Sequence, residues 1–314
     1  MFKYIMKRLC MLIPVLIGIS TIVFLLISLI PGDVVDILLG TSATPEAREA
    51  LRENLGLNKP VVIRYFEWMF NAIQLDFGES IRTGKPVIEE FFARLPATLQ
   101  LAGLAMAISL LIGIPFGILA AIKKDSWISH VVSVVSMLGV SIPAFWLGTM
   151  LILFISLQLR LLPPGGFVPF LENPIENLKG MILPAFTLGT SMSAVVMRMT
   201  RSAMLEVLGQ DYMKTALAKG VTPKLYRYKH AFKNALIPVL TVIGIQIGYL
   251  LGGAVIIEEV FALPGVGRLA LQAIYQRDYP LVQVTVLMFS LGFVLVNLLV
   301  DIIYAYIDPR IRYE

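Results

Sequence analysis

Six basic side chains, Lys214, Lys219, Lys224, Arg227, Lys229 and Lys233, occupy the polar stretch Asp211–Pro238 with Asp211 as its one acid. Apolar runs of membrane-spanning length flank the stretch on both sides. Asp211 is placed to cap a short helix over Tyr212–Lys219, and Gly220 to end that helix in a left-handed conformation. Thr222-Pro223 then caps and opens a second short helix. On the first helix Tyr212, Thr215, Ala216 and Lys219 share a face by i, i+3, i+4, i+7 spacing. Small Ala and Thr side chains beside a Tyr let such a helix enter a groove, with Tyr212 as anchor and Lys219 at the rim. The chemistry this spacing offers is docking. The alternative is a basic juxtamembrane loop that only fixes topology.

Other chemistries lack their residues. The chain has no G-x-x-x-x-G-K-[ST] phosphate loop, and Gly84-Lys85 is followed by Pro86. It has no H-E-x-x-H and no G-x-S-x-G, and its two histidines, His130 and His230, lie a hundred residues apart and read as interfacial polar groups. Met192, Met197, Met199 and Met204 cluster near one apolar run, a pattern that suits core packing better than soft-metal binding. The single cysteine, Cys10, excludes an intrachain disulfide and a thiolate metal site. No metal, no cofactor and no enzymatic activity are expected of this chain. Paired Asp, Ser/His or metal-ligand sets for an intramembrane enzyme are missing from its apolar runs.

These residues must be positioned by a membrane protein. The chain is 57% hydrophobic and 15% charged with a mean hydropathy of +0.81, whereas soluble domains carry about 25% charge. Uncharged apolar runs at Leu9–Ile30, Leu95–Ile122, Ser126–Leu159, Gly180–Met197, Asn234–Ile257 and Tyr279–Val300 each reach the roughly 18 to 20 residues that cross a hydrocarbon core. Six spans are expected in an all-α, polytopic fold. The third run would be roughly 51 Å long as one straight helix, well beyond a ~30 Å core, so it kinks near Pro143 or begins in the cytoplasm.

Six spans put both termini on one side. If that side is the cytoplasm it holds fifteen bases against six acids, and the opposite side eleven against fifteen. The positive-inside rule selects this topology, and the basic pI follows from it rather than from nucleic-acid binding. The first run is too long for a signal-peptide core and has no convincing cleavage site, so it reads as an uncleaved anchor over 1–30. The middle of every run is free of charge, with Arg198 and Asp301 near cytoplasmic ends, which argues against a proton-coupled transporter. No inverted repeat is evident. The energy for any transport must come from another subunit.

Residues 31–94 form the long hydrophilic insertion, with apolar residues at helical spacing. Thr44-Pro45 opens a helix to about Asn54 that Gly56 stops; a second runs from Pro60 to about Ile73 with a stripe of Val61, Tyr65, Trp68 and Met69; a third covers Pro86–Phe92. The membrane core follows over 95–306, with the loop at 206–238 between spans four and five and a tail at 307–314. Gly244, Gly248 and Gly252 sit four apart and form a small-residue face for another helix.

Asp211-Tyr-x-x-Thr-Ala-x-Ala-Lys-Gly220 followed by His230-x-x-x-Asn234-Ala-x-x-Pro238 resembles the coupling loop of binding-protein-dependent ABC importer permeases. Leu95-Pro-Ala-Thr-Leu, Glu259-Val-Phe-x-x-Pro-Gly-x-Gly-Arg268, Arg277-Asp-Tyr-Pro280 and Asp308-Pro-Arg-Ile-Arg312 match in the same order. Together they resemble the peptide/nickel branch, of the oligopeptide and dipeptide permease B type, across essentially the whole chain. One departure is that Lys214-Thr215-Ala216 stands where the general motif has Glu-Ala-Ala. A second is the long interval from Gly220 to Pro238.

The resemblance implies a non-catalytic permease subunit in a bacterial or archaeal inner membrane. It would pair with a homologous permease, on two ATPase subunits that hold ATP and Mg, and be fed by an extracytoplasmic solute-binding protein. Asp211, Tyr212, Lys214, Thr215, Ala216, Lys219 and Gly220 would then form the ATPase-coupling contact. Ser141, Gln246 and Asn297 are the few polar residues that could line a path. Glu259, Pro264 and Arg268 lie in the outer loop Glu258–Asp278, where Ala262-Leu-Pro-Gly-Val-Gly-Arg268 breaks a helix and could gate the outer mouth or dock the binding protein. The cargo is a di- or oligopeptide or, as the alternative, a nickel chelate. A pore or secondary transporter acting alone is the more distant reading.

Overall fold

The computed structural model describes residues 2–29, 35, 39, 44–54 and 58–307. The stop assigned to Gly56, the start of the insertion at 31–34 and the tail from Asp308, with Arg310 and Arg312, lie outside the described residues. Among the described residues the secondary structure is helical, with one isolated antiparallel bridge between Glu79 and Pro86. The chain divides into two compact units: residues 1–5, 96–268 and 293–314 form one, and 6–95 with 269–292 the other.

In the smaller unit, α1 (Phe2–Leu29) contributes most of its length, followed by α2 (Pro45–Asn54) and α3 (Val61–Ile73). Thr44 caps α2 as the sequence predicts, its Oγ1 accepting from the Ala47 N–H at 3.3 Å. Helix α3 packs on α1 through Tyr65 and Trp68 of the predicted stripe, while Val61 is exposed. The Tyr65 hydroxyl shares hydrogen bonds with Ser20 Oγ (3.1 Å) and Thr21 Oγ1 (2.8 Å), and Phe24 lies edge-on to the Tyr65 ring at 5.4 Å.

The predicted third insertion helix is not separate. It is the start of α4 (Val87–Ile122), which runs unbroken through Pro96 and Pro115. Nothing between Phe92 and Leu95 ends a helix, and each internal Pro deletes a single backbone N–H that the surrounding turns tolerate.

In the larger unit the third apolar run is broken where expected. Helix α5 (Trp127–Ser141) and helix α6 (Ala144–Leu151), continued by a π-helical stretch Ile152–Gln158, meet at 98°. Pro143 has no N–H to donate and forces its predecessor out of the helical region; Ile142 has φ −76° and ψ 121°. Helix α7 (Pro174–Leu208) starts at an Asn173 cap, with Asn173 Oδ1 accepting from the Glu176 N–H at 3.2 Å. Its most apolar stretch is 72% buried, against 39% or less for the other long apolar helices, which makes α7 the central one.

Helix α8 (Asp211–Ala218) follows, then a helical turn α9 (Pro223–Leu225), a π-helical stretch Tyr226–Phe232 and α10 (Lys233–Val260). The expected second loop helix is thus the first turn of the next long helix. The helix passes through seven residues in π geometry without ending. Helices α11 (Val266–Tyr275) and α12 (Tyr279–Ile307) close the described chain.

Among the described residues four helices are long and apolar enough to cross a membrane, five if the bent pair α5/α6 is one span, and α1 carries a shorter apolar stretch, Met11–Leu25. The last five of the six expected runs thus lie in helices of spanning length, and the first in a shorter apolar one. The small-residue face of α10 is used at two of its three positions. A Cβ at Gly244 would lie 2.6 Å from Val300 Cγ1, and one at Gly248 2.4 Å from Phe293 Cε2, while Gly252 has open space. Large apolar side chains such as Leu111 and Met137 remain exposed on the helices, as lipid contact requires.

Candidate functional site

Helix α8 is held by a side chain that the spacing did not single out. Met213 is fully buried in a cluster with Ala203 and Met204 of α7, Ala231, and Ala235 and Val239 of α10. A solvent-exposed eight-residue helix would be marginal alone, and this one apolar plug fixes it to both neighbours. The signal was present: Met213 and Leu217 are the two large aliphatic side chains in the helix, and Met213 lies off the Thr215/Lys219 face.

The predicted cap is corrected. Gln210 occupies the cap position without a side-chain bond, and Asp211 lies inside the first turn, paired with Lys214 Nζ at 2.7 Å on the surface. Asp211 is helical itself, so its carboxylate cannot fold back to the N–H groups it was expected to accept from. The C-terminal end is as expected. Gly220 has φ +75°, and the Val221 N–H reaches the Ala216 carbonyl at 3.3 Å. Tyr212 is half exposed, its hydroxyl accepting from Asn234 Nδ2 at 3.2 Å. Thr215, Lys219 and Gly220 are exposed and Ala216 is half-buried, so the face they share points outward from the core.

The second cluster lies beyond the apolar run Asn234–Ile257. Helix α10 ends in a paired turn: the Ala262 N–H reaches the Glu259 carbonyl (3.2 Å) and the Leu263 N–H the Glu258 carbonyl (2.8 Å), with Ala262 at φ +52°. Glu258, the residue before the motif that drew attention, is fully buried. Its Oε1 accepts from the Thr98 hydroxyl at 2.6 Å and its Oε2 from the Arg268 N–H at 3.0 Å; the Val266 N–H in turn donates to Thr98 Oγ1 at 2.8 Å. Burial raises the Glu258 carboxyl above the usual carboxylate range, opposed by the Thr98 hydroxyl and the backbone N–H groups of Arg268 and Gly267.

Gly265 and Gly267 leave the room this carboxylate needs. A Cβ at Gly265 would fall 2.0 Å from Glu258 Cδ, and one at Gly267 3.0 Å from Oε2. Of the predicted outer residues, Glu259 is exposed and pairs with Arg268 Nε at 3.3 Å, and Pro264 is half-buried. The staple of this turn is therefore Glu258, the residue before the 259–268 stretch, with Thr98 of the Leu95–Leu99 stretch 160 residues away.

A second buried carboxylate organises the smaller unit. Helix α11 ends with Arg277 at φ +55°, and Asp278, 1% exposed, accepts from the Ser80 hydroxyl (2.5 Å) and the Ile81 N–H (3.3 Å). It also caps α12 through the Leu281 N–H at 3.4 Å. Asp278→Ala strands these donors, at an expected cost of about 2 kcal/mol. Since ~1.4 kcal/mol is a factor of ten, trypsin cleavage after Arg82 in the pinned turn should rise more than tenfold. Unchanged cleavage would contradict the role given to Asp278.

The three weak path residues are not brought together. Gln246 is buried and lines a cavity of about 480 Å³ with Leu188, Ser191, Met192 and Tyr249. Ser141 is exposed at the end of α5, next to the lining residues Gly139 and Val140, and Asn297 on α12 is not part of the lining.

A bundle of long apolar helices, a short helix plugged against it with an outward polar face, and stapled turns beyond the spans define a polytopic membrane component. Residues 113–313 match the family model "Binding-protein-dependent transport system inner membrane component", and residues 1–102 match its N-terminal companion. The chain belongs to this family of inner-membrane transport components, and as such is a permease subunit rather than an enzyme. It is 44% identical, over the full length of both chains, to a putative peptide transport system permease protein of Brucella abortus. It is 46% identical, again end to end, to the dipeptide transport system permease protein DppB of Haemophilus influenzae. A chain of the MetNI methionine ABC transporter in an inward-facing conformation shares the fold, with a TM-score of 0.56 at 20% identity over 70% of this chain and 96% of that one.

Proposed function

We propose that this chain forms half of the translocation path of an ATP-driven importer of di- or oligopeptides. The observation that carries the reading is end-to-end identity of 44–46% with chains named as peptide and dipeptide permeases. In this reading both termini and the 206–238 loop are cytoplasmic, and residues 31–94 are extracytoplasmic. The exposed face of α8, with Tyr212, Thr215, Ala216, Lys219 and Gly220, enters a cleft on a partner ATPase that binds ATP and Mg. A homologous permease completes the path, and a solute-binding protein delivers the peptide to the outer turn near Glu259, Pro264 and Arg268. The mostly apolar cavity with Gln246, Ser191 and Tyr249 suits a path that passes a peptide without holding it tightly.

The test is uptake by proteoliposomes that contain this chain, its partner permease, the two ATPases and the binding protein. A labelled dipeptide should accumulate only with ATP and both ATPases present. Uptake that persists without the ATPases would favour a pore or secondary transporter, and uptake of a nickel chelate in place of the dipeptide would overturn the cargo.

A further inference from the structure

Three cations without an ion-pair partner among the described residues converge on one cavity. Lys123, Lys124 and Arg227 line a space of about 650 Å³ in which Asp125 is the one acid. Lys123 and Lys124 follow the end of α4, and Arg227 lies about a hundred residues later in the π-helical stretch. A rule that only sorts charge between the two sides of a membrane would be met by bases anywhere in these loops. It does not require a shared cavity.

The remaining lining is half of another kind. Ile122, Leu205 and Leu208, from the ends of α4 and α7, give the cavity an apolar wall. Ser126 caps α5, its Oγ accepting from the Ser129 N–H at 3.4 Å, so the positive end of a fifteen-residue helix adds to the basic side chains. The next residue, Trp127, is 74% exposed, an indole at the end of an apolar run, where such side chains sit at headgroup depth.

We propose that this cavity binds the headgroup of an anionic phospholipid, with its phosphate on Lys123, Lys124 and Arg227 and its first acyl carbons against Ile122, Leu205 and Leu208. A free phosphate would have no use for the apolar wall. Basic cavities at the ends of spans are where anionic headgroups are held. The site shares no residue with the α8 face given to the ATPase or with the cavity around Gln246, so failure of either reading leaves it standing.

The test uses the assembled complex purified in mild detergent, exposed to equal phosphatidylglycerol and phosphatidylcholine, with retained lipid counted by native mass spectrometry. The wild type should retain phosphatidylglycerol in preference, by about a hundredfold for three cations. The triple variant Lys123→Gln/Lys124→Gln/Arg227→Gln should lose that preference, and Lys179→Gln, a cation outside the cavity, should keep it. Excess inorganic phosphate should not displace the lipid. If the triple variant does not assemble, the single variants Lys124→Gln and Arg227→Gln should each show a partial loss. Equal retention by wild type and variants would overturn the site, and displacement by inorganic phosphate would overturn the lipid assignment.

Discussion

Replacing Ala216 with tryptophan should abolish uptake while membrane insertion and assembly with the partner permease persist. Ala216 is half-buried on the outward face of α8, where its small size is what would let the helix seat. Misfit at the centre of a docking contact costs about 2–4 kcal/mol, or roughly a hundredfold in coupled turnover. The fold should survive because the anchor, Met213, is itself unchanged and keeps its cluster with Ala203, Met204, Ala235 and Val239. Gly220→Val should act by a different route. It puts a β-branched side chain at φ +75°, which costs on the order of 1–2 kcal/mol and weakens the Val221 to Ala216 closing bond. Uptake by each variant, read beside its yield in the membrane fraction and its gel-filtration profile, decides the matter. Undiminished uptake by Ala216→Trp would contradict the docking face.

The second large effect is expected at the turn after α10, where Glu258→Ala and Gly265→Ala should give the same defect. Removing the carboxylate leaves the Thr98 hydroxyl and the Arg268 N–H without an acceptor, at about 1–3 kcal/mol each. Gly265→Ala puts a methyl group 2.0 Å from the carboxylate carbon, so the turn must open to admit it. Because both changes act on one contact, they should not add: Glu258→Ala/Gly265→Ala should be no worse than Glu258→Ala alone. Glu258→Gln, which keeps the shape and one acceptor, should be intermediate. Thermal unfolding and protease sensitivity of the loop 259–268 measure this series. Additive defects in the double variant would show that Gly265 serves something other than the Glu258 staple.

Much of the fold was legible because its signals are local. Apolar run length gave the spans, Thr44-Pro45 gave the start of α2, and Pro143 gave the break between α5 and α6, since proline acts on its immediate predecessor whatever the tertiary surroundings. The misses are of two kinds. Pro86–Phe92 and Thr222-Pro223 were read as short helices because each has a good start signal. Neither has a stop, and the chain continues into the next long helix. The other misses are long-range. Glu258 and Asp278 are read from the sequence only as the two bounds of a loop, with Glu259 the more prominent acid. Their roles depend on Thr98 and Ser80, 160 and 198 residues away. A buried carboxylate next to a Gly-x-Gly turn is a hint that burial could have been read, but its donors cannot be located from spacing.

The same distinction applies to α8. Its outward face was readable from i, i+3, i+4, i+7 spacing, its plug was not, and the Asp211 cap failed because the helix began one residue early.

The central claim, that the outward face of α8 is the contact with a partner ATPase, is tested most directly by site-specific crosslinking. Thr215→Cys, in a chain whose single native cysteine is replaced by Cys10→Ser, is assembled with ATPases that carry a cysteine along the candidate cleft. A disulfide adduct should form between the two subunits, with a yield that changes when ATP is added. Absence of an adduct in every nucleotide state, from complexes that remain assembled, would contradict the account.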